Sequence, residues 1–214
     1  MTSGSGPESV RLEELWSGDF GDAYVERNAG AYDRREAFWS ELHGRVGFSS
    51  VLEIGCNVGG NLRWLAPRLP EGAVYGADIN RSAIARVHDE LPGVNAVWSP
   101  GRDLPFRDRW FDLVFTMGVL IHQPESTLPL VMAEMVRCST RWVLCGEYFA
   151  EDTVMVPYHG HDGALFRRDY GRLFQELFPQ LHQVDSGFLG RDEGWDDVTW
   201  WLFEREGTWS QAPL

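Results

Sequence analysis

The 214-residue chain carries 19 basic and 32 acidic side chains for a formal charge of −13, a balance that repels phosphate backbones and argues against nucleic acid as a partner. Its 43% hydrophobic and 13% aromatic content suits one globular domain with a sizeable core, and no run approaches the ~18 apolar residues of a membrane span. The polar start MTSGSGPESV lacks a targeting signature, so the expectation is a cytoplasmic protein with no membrane partner.

Residues 1–9 read as a flexible Gly/Ser/Pro tail. Over residues 10–47, apolar residues recur at helical spacing (Leu12, Leu15, Trp16; then Tyr32, Phe38, Trp39, Leu42) and are interrupted at Gly18, Gly21 and Gly30, which predicts two helices with a broken link. Aromatics beside Arg27 and Asn28 could close over a ligand as a lid, which would place Tyr24, Arg27 and Asn28 at the site; the alternative is that Trp16, Phe20 and Tyr24 pack these helices onto the sheet.

The chain is organised around VLEIGCNVGGNLRWL, residues 51–65. Val51, Leu52 and Ile54 predict a buried strand, Gly55, Gly59 and Gly60 a turn that brings backbone close to a ligand, and residues 61–69 a helix. Residues 73–79 form the next strand, ending in Asp78, 23 positions after Gly55, where a carboxylate can accept hydrogen bonds from both hydroxyls of a ribose. An adenosine cofactor is therefore implied. A dinucleotide fingerprint needs a second glycine where Asn57 stands, and a phosphate-binding loop needs a lysine, of which the chain has none.

Residues 80–91 predict a helix with Ile84, Val87 and Leu91 inward, followed by a strand at 94–99 and a loop holding Asp103. The run WFDLVFTMGVLIHQ predicts a fourth strand at 111–116 that delivers Met117 and Gly118 to the carboxyl edge of the sheet, with His122 four residues beyond. A helix at 128–138 and a fifth strand ending at Glu147 and Tyr148 come next. Residues 150–164, broken by Pro157, Gly160 and Gly163, read as a cap loop over the substrate. A helix at 167–178 and two late strands, about 182–189 and 198–204, end the fold, and 207–214 is a tail. Residues 48–206 are thus expected to form an α/β, Rossmann-like unit, a seven-stranded, mostly parallel sheet with helices on both faces and an antiparallel C-terminal hairpin, preceded by the N-terminal helical lid of residues 10–47.

Glu53 two residues before Gly55, the GxxxG turn and Asp78 resemble the signature of class I S-adenosylmethionine-dependent methyltransferases. That resemblance implies that Glu53 lies near the methionine ammonium group, and that the turn backbone (Gly55, Asn57, Gly59, Asn61) faces the amino-acid part of the cofactor. It also implies that Asp103, in the loop after the third strand, contacts the adenine amino group; Ile79 beside Asp78, Met117 at the carboxyl edge of the sheet and Arg27 in the lid complete the expected cofactor-binding set. The pieces WSGDFGDAYVERN, GADIN, FTMGVLIHQPE, CGEYF, PYHG and LFRRDYG further resemble bacterial methyltransferases associated with pseudaminic acid biosynthesis.

Methyl transfer is an in-line displacement, so the acceptor must be held about 3 Å from the methyl carbon, and a hydroxyl acceptor must lose a proton. His122 is the candidate base, since imidazole titrates near neutral pH; Tyr24, Tyr148, Tyr158 and His159 are candidates to orient the acceptor or to bind the cationic neighbourhood of the methyl donor. His159, His161 and Asp162 read more simply as solvated than as a metal site. Arg167 and Arg168 are either a solvated helix start or ligands for an acceptor carboxylate. Cys56, Cys138 and Cys145 are expected as buried thiols. The expected function is methyl transfer to a hydroxyl or amine of a small sugar-like or amino-acid-like metabolite by a monomer or homodimer. Cyclisation of the cofactor's aminobutyryl arm, noncatalytic cofactor binding and nicotinamide-dependent dehydrogenation are the alternatives.

Overall fold

A computed structural model describes residues 7–28 and 34–206; the expected tails at 1–6 and 207–214, together with Gly30 and Tyr32, lie outside the described residues. The central elements alternate as strand and helix: β1 (Val51–Ile54), α4 (Leu62–Leu65), β2 (Val74–Asp78), α5 (Arg81–Glu90), β3 (Asn95–Trp98), β4 (Phe111–Met117), α6 (Leu128–Cys138) and β5 (Ser139–Glu147). Before them stand α1 (Pro7–Ser17), α2 (Asp19–Asn28) and α3 (Glu36–Val46); after them come β6 (Val154–Tyr158), β7 (His161–Arg167), α7 (Tyr170–Leu177), β8 (Leu181–Leu189) and β9 (Val198–Arg205).

The main sheet has seven strands in the order β3-β2-β1-β4-β5-β9-β8. Strands β1 to β5 run parallel, and β9 is antiparallel to both of its neighbours. Alternation along each strand divides the side chains between two cores, as the period-2 geometry of a strand requires. Leu52, Val114, Val143 and Phe203 meet α6 and α7 on one face, while Val51, Leu113, Leu144 and Leu202 meet α3, α4 and α5 on the other. Because β1 pairs with both β2 and β4, the chain reverses its winding between β1 and β4, and the crevice at their carboxyl ends is where an open α/β sheet binds ligands.

Several expected boundaries shift for local reasons. Helix α1 begins at Pro7, inside the expected tail, and Ser9 is buried; proline is pre-organised for a helix's first turn. The N-terminal segment holds three helices, not two. The helix after the glycine turn is only four residues long and tightens into a 3-10 turn at Ala66–Arg68, because Pro67 has no N–H to continue an α-helix. Residues 150–164 are not an open loop: most of them form the hairpin β6–β7. Helix α7 begins at Tyr170, capped by Asp169, whose side chain accepts from the Arg172 N–H, so Arg167 and Arg168 precede it.

Candidate active site

One cavity of about 480 Å³ opens at the carboxyl edge of β1, β2, β4 and β5 under the N-terminal helices and the β6–β7 hairpin. At its centre is the turn after β1. Gly55 has φ +70 and Asn57 φ +47, both left-handed; asparagine tolerates that region better than most residues, which explains how it stands where a dinucleotide site has glycine. A side chain at Gly55 would run into Val119, so the position also needs glycine for space.

Glu53 lines the cavity and is 2% exposed. Its Oε1 accepts from Asn61 Nδ2 at 2.5 Å, while its Oε2 is buried with no partner among the described residues. Burial pushes its pKa up to about 8, against the Asn61 hydrogen bond and the Arg35 charge. Asn61 is in turn fixed by Arg35 Nη1 and Trp39 Nε1, which donate to its Oδ1 at 3.2 and 3.3 Å. Asn61 is therefore a positioning group for Glu53. Arg35 reaches it from the start of α3, anchored by its Nε on the Gly194 carbonyl at 2.9 Å and stacked 4.3 Å from the Trp195 ring.

Asp78 ends β2 with its Oδ2 accepting from the Asn57 N–H and its Oδ1 from the Asn80 N–H, both at 2.8 Å. Burial raises its pKa, opposed by these backbone donors. The acid thus fixes the glycine turn and the start of α5 while still lining the cavity. Asn57 Oδ1 is a second buried acceptor without a partner among the described residues.

The opposite wall is aromatic. Trp16 lies 4.5 Å from His122 and 5.2 Å from Tyr24, and His122 lies 5.1 Å from Tyr158, between ring centroids. All four line the cavity with His159 and Tyr148. The Nδ1 of His122 lies 2.6 Å from the Ala164 carbonyl, so Nδ1 carries the proton and Nε2 keeps its lone pair. Burial lowers the His122 pKa to about 4. Trp16 Nε1 is a buried donor without a partner among the described residues. The lid is tied down at three points. Arg102 grips Glu13 through Nε and Nη2 at 2.5 and 3.0 Å, Asn80 Nδ2 donates to the Trp16 carbonyl and to Asp22, and Arg11 Nη2 donates to the Asp162 carbonyl at 3.2 Å.

Of the residues singled out from the sequence, His122, Tyr24, Tyr158, His159, Arg27, Glu53, Gly55, Asn57, Asn61, Asp78, Ile79 and Met117 line this cavity. Gly59 and Asp103 do not: Gly60 takes the place of the first, and Asp103 is exposed while its neighbours Ser99 and Arg102 face inward. Arg167 lies in β7 with its guanidinium 5.7 Å from the Tyr148 ring, and Arg168 is buried, donating to the Gln123 carbonyl at 3.0 Å. Neither is a helix start or a lining residue. The three cysteines are free and buried, and among the described residues no three His, Cys, Asp or Glu side chains cluster for a metal. Glu13, Trp16, Arg35, Arg102 and Asp196 are lining residues that sequence reasoning missed. Only Trp16 carried a local signal, an aromatic in the expected lid.

The strand order and the site at the β1–β4 crevice define an open, doubly wound Rossmann-like α/β fold. Residues 51–141 match the family model described as methyltransferase domain. Phthiotriol/phenolphthiotriol dimycocerosates methyltransferase 1 of Mycobacterium ulcerans is 37% identical over 106 residues, 48% of this chain and 36% of that protein. Methyltransferase GfsG of Streptomyces halstedii is 30% identical over 111 residues, 48% of this chain and 39% of that protein. The chain spans less than half the length of these curated relatives. Among solved structures, magnesium protoporphyrin IX methyltransferase from Synechocystis with bound S-adenosylhomocysteine superposes with a TM-score of 0.70 at 13% identity, over 92% of this chain and 99% of that one. The 1,6-didemethyltoxoflavin-N1-methyltransferase of Burkholderia thailandensis gives 0.67 at 16% identity, over 94% and 91%.

Proposed function

We propose that this protein binds S-adenosylmethionine in the cavity and transfers its methyl group to a hydroxyl or amine of a small polar acceptor. The observation that carries the reading is Glu53 Oε2, a buried acceptor on the cavity wall without a partner among the described residues. An ammonium group satisfies such an oxygen and a nicotinamide dinucleotide offers none there, whereas Asp78 suits the ribose of either. Asn57 Oδ1, likewise buried and unpartnered, fits the polar amino-acid arm of the same cofactor. When bound, S-adenosylmethionine supplies an electrophilic methyl carbon on a sulfonium.

The protein's own part is to orient the acceptor and receive its proton. His122, neutral near pH 7 because burial lowers its pKa to about 4, presents Nε2 as the proton acceptor. It is a ready but weak base, suited to a phenol, enol or neutral amine better than to an aliphatic alcohol. Trp16 Nε1, beside it, is a free donor for an acceptor oxygen, and Tyr24, Tyr158 and His159 complete the wall. The narrower expectation of a sugar-like or amino-acid-like acceptor rests on the sequence resemblance to methyltransferases associated with pseudaminic acid biosynthesis. Incubation with methyl-labelled S-adenosylmethionine and a panel of amino sugars, amino acids and phenolic acids tests the reading. Label should pass to an acceptor, and His122→Ala should lower turnover by ~10²-fold with cofactor affinity unchanged; a near-wild-type rate would return His122 to a structural role. Breakdown of the cofactor alone to methylthioadenosine would replace transfer by cyclase or lyase chemistry.

A further inference from the structure

Glu147 is fully buried at the end of β5, and it is not one of the cavity-lining residues. An acid there is not needed for packing, and its burial is unfavourable unless its oxygens are well used. They are. Oε1 accepts from the Val119 and Leu120 N–H groups at 3.3 and 3.2 Å, and Oε2 accepts from the Ile121 N–H at 3.1 Å. These three donors lead into the 3-10 turn Leu120–His122, and the first N–H groups of any helical turn have no partner within it. The preceding Gly118, at φ +72, is held to the same strand by its N–H on the Gly146 carbonyl at 2.8 Å.

The whole segment 118–121 therefore hangs from the end of β5, and the next residue is His122. The His122 ring is fixed separately by Ala164 of β7. Two strands thus set one side chain: β5 places its backbone and β7 its ring. We propose that Glu147 is a positioning residue for the acceptor side of the site, its buried carboxyl group acting as a clamp that holds residues 119–121 and so aims His122 Nε2 at the acceptor. This rests on the reading of His122 as the acceptor-side base. A hydrophobic residue would fill the space but leave three buried N–H groups unpaired, and an amide would set its NH2 against one of them.

The experiment is hydrogen exchange and imidazole ¹⁵N spectroscopy on the full chain saturated with S-adenosylhomocysteine, comparing wild type with Glu147→Gln. In the variant, exchange of the Val119, Leu120 and Ile121 amides should accelerate by about tenfold or more while the β1 and β2 amides stay protected. The His122 ring should lose its single Nδ1–H tautomer signature. Unchanged exchange together with an unchanged His122 spectrum would overturn the proposal. Should the variant fail to fold, the wild type alone decides: the three amides must be as protected as the neighbouring sheet, and rapid exchange at any of them overturns the clamp. Failure of wild type to bind S-adenosylhomocysteine would instead overturn the functional reading, leaving the clamp to be judged by the same exchange in the free protein.

Discussion

At the residue scale the cavity is defined by what its buried polar atoms lack. Glu53 keeps one oxygen satisfied by Asn61 and the other unpaired, and burial holds its carboxyl up at about 8. Binding a cation against that oxygen stabilises the ionised form, so cofactor binding near pH 7 should expel a proton from Glu53. Calorimetry in buffers of different ionisation enthalpy should report release of up to about one proton in wild type and less in Glu53→Gln; identical values in the two proteins would detach Glu53 from the ammonium group. Glu53, Gly55 and Asp78 were legible in the sequence because strand, turn and strand place them by local spacing. Arg35 was not, because its contacts reach 26 residues to Asn61 and 159 to Gly194. Asp103 misled for the opposite reason: its loop faces the site, but the turn closed by the Asp103 N–H on the Pro100 carbonyl leaves Arg102 lining the cavity and Asp103 exposed.

At the scale of elements the lid and the cap act together. The helices α1 and α2 are latched to the β3–β4 loop by Glu13–Arg102, to the start of α5 by Asn80 and to the hairpin by Arg11. The bidentate Glu13–Arg102 pair is partly exposed, with 28% and 30% side-chain exposure, and pairs of this kind contribute on the order of 1 kcal/mol or less. Glu13→Gln should therefore speed dissociation of S-adenosylhomocysteine by about two- to fivefold in stopped-flow fluorescence, with little change in thermal stability. An unchanged dissociation rate would mean that the lid is not the barrier to release. The hairpin under this lid was misread as a loop, although its turn was encoded. His159 and Gly160 both have positive φ (+47 and +82) between the paired Tyr158 and His161, the two-residue hairpin turn that left-handed residues favour. The glycine was visible; histidine in the first position is an uncommon choice and hid the signal. By contrast, β4, β5 and β9 were legible as strands of a sheet covered on both faces, because their runs are apolar on both faces.

For the whole molecule, the site's buried acids oppose folding as pH rises. Glu53 and Glu147 are both held up at about 8 from 4.5, so between those values the folded state binds protons that the unfolded chain has lost, and each step up in pH lowers stability. His122, lowered from 6.5 to about 4, acts oppositely: its contribution increases with pH between about 4 and 6.5 and then ends. From about pH 6.5 to 8 only the loss from the carboxyls continues among these three groups, and the formal charge of −13 adds self-repulsion. The melting temperature of the free protein should therefore fall across that window, and bound S-adenosylhomocysteine should flatten the fall by partnering Glu53. A melting temperature that rises from pH 6.5 to 8 would contradict this assignment of buried acids.

The central claim is that the Gly55–Asp78 side of the cavity holds S-adenosylmethionine, and isothermal titration of wild type and Asp78→Ala with S-adenosylmethionine and with NAD tests it most directly. The wild type should bind S-adenosylmethionine and not NAD, and return it chemically intact when no acceptor is present. Asp78→Ala should weaken that binding by about tenfold or more, the loss of hydrogen bonds to a charged group. Binding of NAD in preference, or an Asp78→Ala affinity equal to wild type, would contradict the account at its foundation.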